Sequence, residues 1–134
     1  MIFRNINIDE DKVIFDDIRT LFSSDDATST LHYENESHTE NLFFVVEEDN
    51  GQILGAAEAR IEEDHILKLL NFIIHSKYRK RGVGSGFLTA IETYTKEFLF
   101  SQVNKIKLIP GGNSRKFYEN KGYEKDWLFL IKKL

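Results

Sequence analysis

The stretch that decides the fold is residues 66–85, ILKLLNFIIHSKYRKRGVGS. Its first part, Ile66–Ile74, is apolar almost throughout, which is typical of a strand that is covered on both faces of a sheet. A basic loop follows, and beyond Gly82 and Gly84 large apolar residues recur at the spacing of an amphipathic helix. The stretch therefore predicts a buried strand, a tight loop and a helix in succession.

The loop between this strand and the helix has the properties of an anion-binding site. The first N–H groups of a helix have no acceptor within the helix, and the helix dipole adds partial positive charge at the same end. Glycine lets a phosphate approach the backbone closely. Lys77, Arg79, Lys80 and Arg81 add full positive charges. The spacing Arg-x-x-Gly-x-Gly lacks the third glycine of a dinucleotide-binding loop and the Lys-Ser/Thr ending of a P-loop.

The rest of the chain alternates between strand and helix patterns. Strands are predicted over residues 2–8, 42–48, 52–61, 103–109 and 123–134. Asp9 is expected to cap a helix that ends near Phe22, and Asn113 to cap a short helix that ends near Lys121. Gly122 suits the position just beyond the end of that short helix.

Two further segments complete the predicted order. Asn50-Gly51 predicts a β-hairpin because both residue types tolerate positive φ. The polar segment 23–41 is interpreted as a mobile loop or a short, poorly packed helix. The predicted fold is α/β with one mixed sheet, in the order β-α-(α)-β-β-β-α-β-α-β, as a single domain over residues 1–134.

Composition excludes several classes of protein. The chain of 134 residues contains no cysteine, which excludes a disulfide framework, a cysteine metal site and a catalytic thiol. The N-terminus lacks the apolar stretch of a signal peptide, and no apolar run approaches the ~20 residues that span a bilayer. His32 and His38 are expected to be solvated, and no His, Asp or Glu spacing predicts a metal site. The expectation is a cytoplasmic protein with no membrane partner and no metal.

Charge is distributed unevenly along the chain. Residues 1–66 carry 17 acidic residues and 4 Lys or Arg, a formal charge of −13. Residues 67–134 carry 5 acidic residues and 14 Lys or Arg, a formal charge of +9. Two interpretations remain open: a solvated surface, or a cationic partner near the first half and an anionic partner near the second. The net charge of −4 argues against a nucleic-acid partner.

The basic glycine motif and its position resemble the GNAT superfamily of N-acetyltransferases. The signature of that family is Gln/Arg-x-x-Gly-x-Gly/Ala between the fourth strand and the following helix, and Arg79, Gly82 and Gly84 match it. The segment 114–123, SRKFYENKGY, is similar to the second region of the family, a short helix with an Ala, a Tyr and a closing Gly-Phe. The resemblance spans residues 42–134 and implies the GNAT fold.

The second region departs from the family pattern at three positions. Ser114 stands where the family has Ala, and Tyr123 stands where it has Phe. Gly111 stands where the family often has Asn, seven residues before Tyr118, and Asn113 is nearby.

The resemblance implies that acetyl-coenzyme A (acetyl-CoA) is the co-substrate and lies between the fourth and fifth strands. Backbone groups of Phe72 and Ile74 are expected to bind the thioester carbonyl and the pantetheine amides, and backbone amides of the basic loop are expected to bind the pyrophosphate. The full set of expected contacts with the cofactor is Phe72, Ile74, Arg79, Lys80, Arg81, Gly82, Val83, Gly84, Ser85, Ser114 and Phe117.

The resemblance also implies a general acid. Tyr118 matches the family's acid, and a phenol is protonated at pH 7 and able to donate to a thiolate. The general base remains open between Glu58, His75 and an ordered water; Lys68 stands where some members of the family place a Glu. Because the chain has no cysteine, direct transfer in a ternary complex is the simpler mechanism.

The acceptor is expected to be a primary amine of a small molecule or peptide, and the acidic first half favours a cationic one. The segment 23–41 is predicted to be an acidic flap over this acceptor, with its carboxylates at Asp25, Asp26, Glu34, Glu36 and Glu40. An alternative function is a regulatory module of the same fold that binds an acyl-CoA without turnover. Monomer and homodimer are both compatible with the sequence.

Overall fold

The computed structural model of the protein describes residues 1–7, 11–23 and 41–134. Residues 24–40 of the predicted acidic flap at 23–41 lie outside the described residues, as does Asp9. The elements are β1 Ile2–Ile6, α1 Lys12–Phe22, β2 Leu42–Glu47, β3 Ile53–Glu62, β4 Ile66–Ile74, α2 Val83–Phe98, β5 Lys105–Leu108, α3 Arg115–Asn120, β6 Glu124–Asp126 and β7 Phe129–Lys133. In this part of the chain no helix is long and apolar enough to cross a membrane.

The strands form one sheet in the order β1-β2-β3-β4-β5-β7-β6. β4 and β5 lie side by side in parallel, and the other neighbouring pairs are antiparallel. The predicted α/β class with a mixed sheet is therefore confirmed. A parallel pair needs a crossover connection, and α2 supplies it between β4 and β5.

The two faces of the sheet carry separate apolar clusters. On one face α2 buries Val83, Phe87, Leu88 and Ile91 against the central strands, in a cluster that also contains Tyr118. On the other face α1 buries apolar side chains against β1–β4, namely Ile18, Leu21 and Phe22. The helices pack there because their apolar residues recur every three or four positions and form one side.

A bulge in β4 determines which of its side chains face α2. The neighbouring register pairs Glu58–Asn71 and Ala59–Leu69 skip Leu70. The extra residue shifts the alternation of side chains by one position. Odd-numbered residues therefore face α2 before the bulge, and even-numbered residues face α2 after it.

The two predicted glycine turns are confirmed. The β2–β3 hairpin turns at Gly51, where φ is +89°. Gly122 follows α3 with φ +93°, and its N–H donates to the Glu119 carbonyl at 3.1 Å. The N–H of Tyr123 donates to the Tyr118 carbonyl, also at 3.1 Å, which completes a Schellman motif.

Three predicted boundaries are wrong. Asp11 rather than Asp9 caps α1, because its Oδ1 accepts from the Ile14 N–H at 3.2 Å. Ser114 rather than Asn113 is the N-cap of α3. The last predicted strand, 123–134, is two strands, because the chain reverses at Trp127 with φ +59° and β6 pairs with β7.

Candidate active site

An opening in the sheet lies between β4 and β5. The parallel register starts at Ile66 and Lys105 and ends at Leu69 and Leu108. Beyond that point β4 continues to Ile74 along β3, whereas β5 has ended and its chain leaves through the Pro-Gly-Gly sequence at 110–112. The strand pairing of β4 with β5 therefore ends at Leu69, and backbone groups farther along β4 face the opening.

The basic loop turns sharply where β4 meets α2. Lys80 and Gly82 adopt positive φ, 64° and 79° respectively. Gly82 is the N-cap of α2 and offers no side-chain acceptor to the helix. Its carbonyl accepts the first intrahelical bond, from the Gly86 N–H at 3.1 Å. The N–H groups of residues 83–85 therefore point out of the helix end, beside Lys80 and Arg81. Together these groups form a site suited to an anion, which we call the anion-binding turn.

The two glycines of the motif occupy different local environments, so the need for glycine differs between them. A Cβ at Gly82 would meet no atom within 4 Å, so the requirement there is the positive φ and the open space above the turn. A Cβ at Gly84 would lie 3.4 Å from Ile74 Cγ1 and 3.6 Å from Phe117 Cζ, which is ordinary contact. Gly84 therefore sits at the wall of the opening, between the end of β4 and α3.

Arg79 fixes the loop to the end of β4. Its Nε donates to the Ile74 carbonyl at 3.0 Å. The N–H of His75 donates to the Leu54 carbonyl at 2.7 Å, which extends the pairing of β4 with β3 by one residue. Because a carbonyl oxygen has two lone pairs, Ile74 keeps the capacity for a second hydrogen bond.

Tyr118 lies beside the opening on the α2 side of the sheet. Its ring is 6.2 Å from the ring of Phe72 and 5.0 Å from that of Phe117, centre to centre. The side chain is 6% exposed, and burial raises the pKa of the phenol well above its usual value. Tyr118 is therefore a neutral phenol throughout the neutral and mildly alkaline range.

Ser114 and Phe117 connect α3 to the same opening. Ser114 Oγ donates to the Gly111 carbonyl at 2.6 Å, which fixes the start of α3. The Phe117 ring is half-buried between Gly84 and Phe72, and its centre is 6.1 Å from that of Phe72. The structure thus brings together the β4, loop and α3 residues that the sequence singled out for the cofactor.

Glu58 is fully buried in β3, one strand away from the opening. Asn71 Nδ2 donates to its Oε1 at 2.9 Å, and Asn41 Nδ2 donates to its Oε2 at 2.8 Å. Its register partner on β2 is Phe43, which packs in the α1 cluster. The carboxylate therefore lies on the face of the sheet opposite Tyr118. Sequence reasoning missed both asparagines, although Asn71 interrupts an otherwise apolar strand.

His75, the second candidate base, is occupied at one ring nitrogen. Its Nδ1 accepts from the Lys77 N–H at 3.2 Å and caps the short 3-10 turn Ser76–Tyr78. A backbone N–H only donates, so Nδ1 carries no proton in this geometry and Nε2 carries it in the neutral ring. Lys68, at the position of the family's Glu, has its Nζ 5.8 Å from the centre of the Phe129 ring.

Comparison with protein families gives a direct match. The model of the Acetyltransferase (GNAT) domain matches residues 39–125, well over half of the chain. The chain belongs to this GNAT acetyltransferase family. A comparison with curated proteins gives no match.

Solved structures share the whole architecture at low sequence identity. An aminoglycoside 6′-N-acetyltransferase complexed with coenzyme A is 15% identical with a TM-score of 0.74, over 99% of this chain and 97% of that one. A SpeG spermidine N-acetyltransferase chimera from Vibrio cholerae and hSSAT is 15% identical with a TM-score of 0.76, over 99% and 96%. Tetrahymena GCN5 is 11% identical with a TM-score of 0.79, over 99% and 96%. At these identities the likeness shows the fold.

Proposed function

We propose that the protein is an acetyl-CoA-dependent N-acetyltransferase that transfers the acetyl group directly to a cationic primary amine. One observation carries the proposal: the half of β4 that has no β5 beside it ends at an anion-binding turn and has a neutral tyrosine next to it. A pyrophosphate, an amide-containing arm and a thioester would meet a matching group in that order along the opening.

The cofactor contacts follow from the backbone. The β4–β5 register ends at Leu69, so the pantetheine amides would bind beyond it along β4 like an added strand, with Phe72 and Ile74 as the expected partners. The N–H groups of residues 83–85 would bind the pyrophosphate. These contacts need no particular side chain, which is why apolar residues serve on β4.

The reaction forms a C–N bond and breaks a C–S bond. A base first takes a proton from the ammonium group, and the neutral amine that results attacks the thioester carbonyl carbon. The departing sulfur takes a proton from the Tyr118 hydroxyl, and the second proton lost by the nitrogen passes to bulk solvent. Tyr118 meets one requirement of the acid role because a phenol carries its proton at neutral pH, and burial raises its pKa further. Bulk solvent then returns the proton to Tyr118.

Glu58 is our choice of base, acting through an ordered water. It lies on the opposite face from Tyr118, so the amine would arrive from one side of the opening while the thiol leaves on the other. Asn71 lies between Glu58 and the opening, and neighbouring strands are about 4.8 Å apart. Because this distance is too long for a direct hydrogen bond from the amine to Glu58, we include a bridging water. His75 is the weaker choice because its Nδ1 lone pair is already used.

The preference for a cationic acceptor rests on charge. Residues 1–66 carry a formal charge of −13, and this half of the chain supplies Glu58 and β1–β3. A negative field attracts a cationic amine and raises its local concentration. Two relatives of the same fold are named for cationic acceptors, spermidine and an aminoglycoside.

The test is a thiol-release assay with acetyl-CoA and a panel of primary amines. The panel holds polyamines, amino sugars, peptide N-termini and lysine peptides, with anionic amines as the contrast. We expect acetyl transfer to at least one cationic class and none to the anionic amines. Coenzyme A binding without transfer to any amine would instead support a non-catalytic acyl-CoA-binding module.

A further inference from the structure

The side chain of Lys121 reaches from the end of α3 to the first turns of α2. Its Nζ lies 3.1 Å from Ser85 Oγ and 3.2 Å from the Ser85 carbonyl oxygen, and it also donates to Thr89 Oγ1. An ammonium group has three N–H donors, so these three acceptors engage all of them. These three bonds leave Lys121 no N–H donor for direct contact with a ligand.

Ser85 is the third residue of α2, next to the anion-binding turn. Because an ammonium only donates, Ser85 Oγ is the acceptor in its bond with Lys121 and its own O–H proton stays available. Within the described part of the chain, no acceptor takes that proton. A hydroxyl that accepts from a cation is a stronger donor in turn, since hydrogen bonds in a chain polarise one another.

The end of α3 is also attached by groups other than the Lys121 ammonium. Lys132 Nζ donates to the Lys121 carbonyl at 2.8 Å and to Glu92 Oε1 at 3.1 Å. The Tyr123 hydroxyl donates to Glu92 Oε2 at 2.9 Å. These bonds join α3 to β7 and α2 through the backbone, so removing the charge of Lys121 leaves the helix end in place.

We propose that Lys121 is a positioning residue for the pyrophosphate of the cofactor. It fixes the Ser85 hydroxyl as a donor at the anion-binding turn, and it places a positive charge beside that turn. The inference rests on the proposed function, since it assigns a residue to the acetyl-CoA site. It predicts that the contribution of Lys121 appears only with a ligand that carries the pyrophosphate.

The first test compares two ligands by calorimetry: coenzyme A, and pantetheine, which lacks the nucleotide and its phosphates. Lys121→Met keeps the length of the side chain and removes its three donors. We expect the affinity for coenzyme A to fall about three- to tenfold, less at high salt, while the affinity for pantetheine stays the same. The matched control is Lys96→Met, which removes an exposed charge from the last turn of α2 and should change neither affinity.

The second test asks whether Lys121 acts through Ser85. Ser85→Ala should weaken coenzyme A binding in the wild-type background and have little further effect beside Lys121→Met, because the two changes remove one shared interaction. Additive losses, or an equal loss for pantetheine, would make Lys121 a structural residue and overturn the inference alone. A wild-type protein that binds coenzyme A no more tightly than pantetheine would contradict the proposed function itself.

Discussion

The two halves of β4 have similar apolar sequences and opposite surroundings. Residues 66–69 pair with β3 on one side and with β5 on the other. After the bulge at Leu70, residues 71–74 pair with β3 but have no β5 beside them, because β5 ends at Leu108. The candidate site thus exists because β5 ends before β4 does. The closed half contributes to the core, and the open half leaves backbone groups for a ligand.

The largest expected effect comes from the turn that closes the open half. Gly82→Val forces a β-branched residue into φ +79° and fills the space above the turn, so we expect it to abolish the rise in melting temperature that coenzyme A produces. Differential scanning fluorimetry measures this rise.

Gly51→Val is the matched control for that change. Gly51 has a similar φ of +89°, and a Cβ there also meets nothing within 4 Å, but it lies in the β2–β3 turn. Both variants should lose a comparable amount of stability, about 1–2 kcal/mol, and only Gly82→Val should lose the response to coenzyme A. A full response in Gly82→Val would remove the turn from the site.

The second effect separates two buried tyrosines, Tyr118 in α3 and Tyr123 just after it. Tyr118→Phe keeps the ring and removes the proton of the proposed acid, so kcat should fall about 10³-fold while the coenzyme A dissociation constant stays within twofold. Tyr123→Phe removes a hydroxyl that donates to Glu92, and it should cost about 1–3 kcal/mol of stability with kcat nearly unchanged. Equal kcat values for both variants would make Tyr118 a packing residue.

The third effect concerns Glu58, which lies at the level of the bulge between the two halves. Glu58→Gln should lower kcat about 10²-fold, and the deficit should shrink as pH rises towards ~10, where a primary amine loses its proton without help. Glu47→Gln is the control, since Glu47 is also a buried carboxylate of the sheet but pairs with Arg4. A deficit that is constant across pH would indicate a structural role for Glu58.

The smallest effect is one of pH on stability. Burial raises the pKa of Tyr118 and of Tyr123, and for Tyr123 the adjacent Glu92 charge and hydrogen bond raise it further. Below about pH 10 both folded and unfolded phenols are protonated, so the free energy of unfolding gains no pH dependence from them. Above that pH the unfolded phenols ionise first and stability falls. Urea denaturation between pH 8 and 11 should show a shallower fall in Tyr123→Phe; an identical fall would contradict the burial.

The sequence predicted those parts of the fold and site that depend on neighbouring residues. The glycine turn between β4 and α2 needs only a strand, two glycines and a helix start within 66–85, all visible as local patterns. The hairpin β6–β7 was missed because its reversal occurs at Trp127, a residue type that does not signal positive φ. Residues 123–134 contain no glycine, proline or asparagine, so they resemble one long strand.

Contacts between distant segments could not be predicted from local patterns. Lys121 and Ser85 are 36 residues apart, and their bond depends on how α3 packs on α2. A partial signal existed in Ser85, Thr89 and Glu92, which recur at helical spacing on one side of α2. The choice between Glu58 and His75 also needed the structure, because it depends on which hydrogen bonds already occupy each group.

Backbone amide chemical shifts during a titration with coenzyme A test the central claim most directly, because they report on both halves of β4 at once. We expect large shifts for Phe72, Ile74 and residues 80–85, and little change for residues 66–69. Shifts of equal size along the whole strand, or shifts confined to residues away from β4 and the anion-binding turn, would contradict the claim that the open half of β4 holds the cofactor.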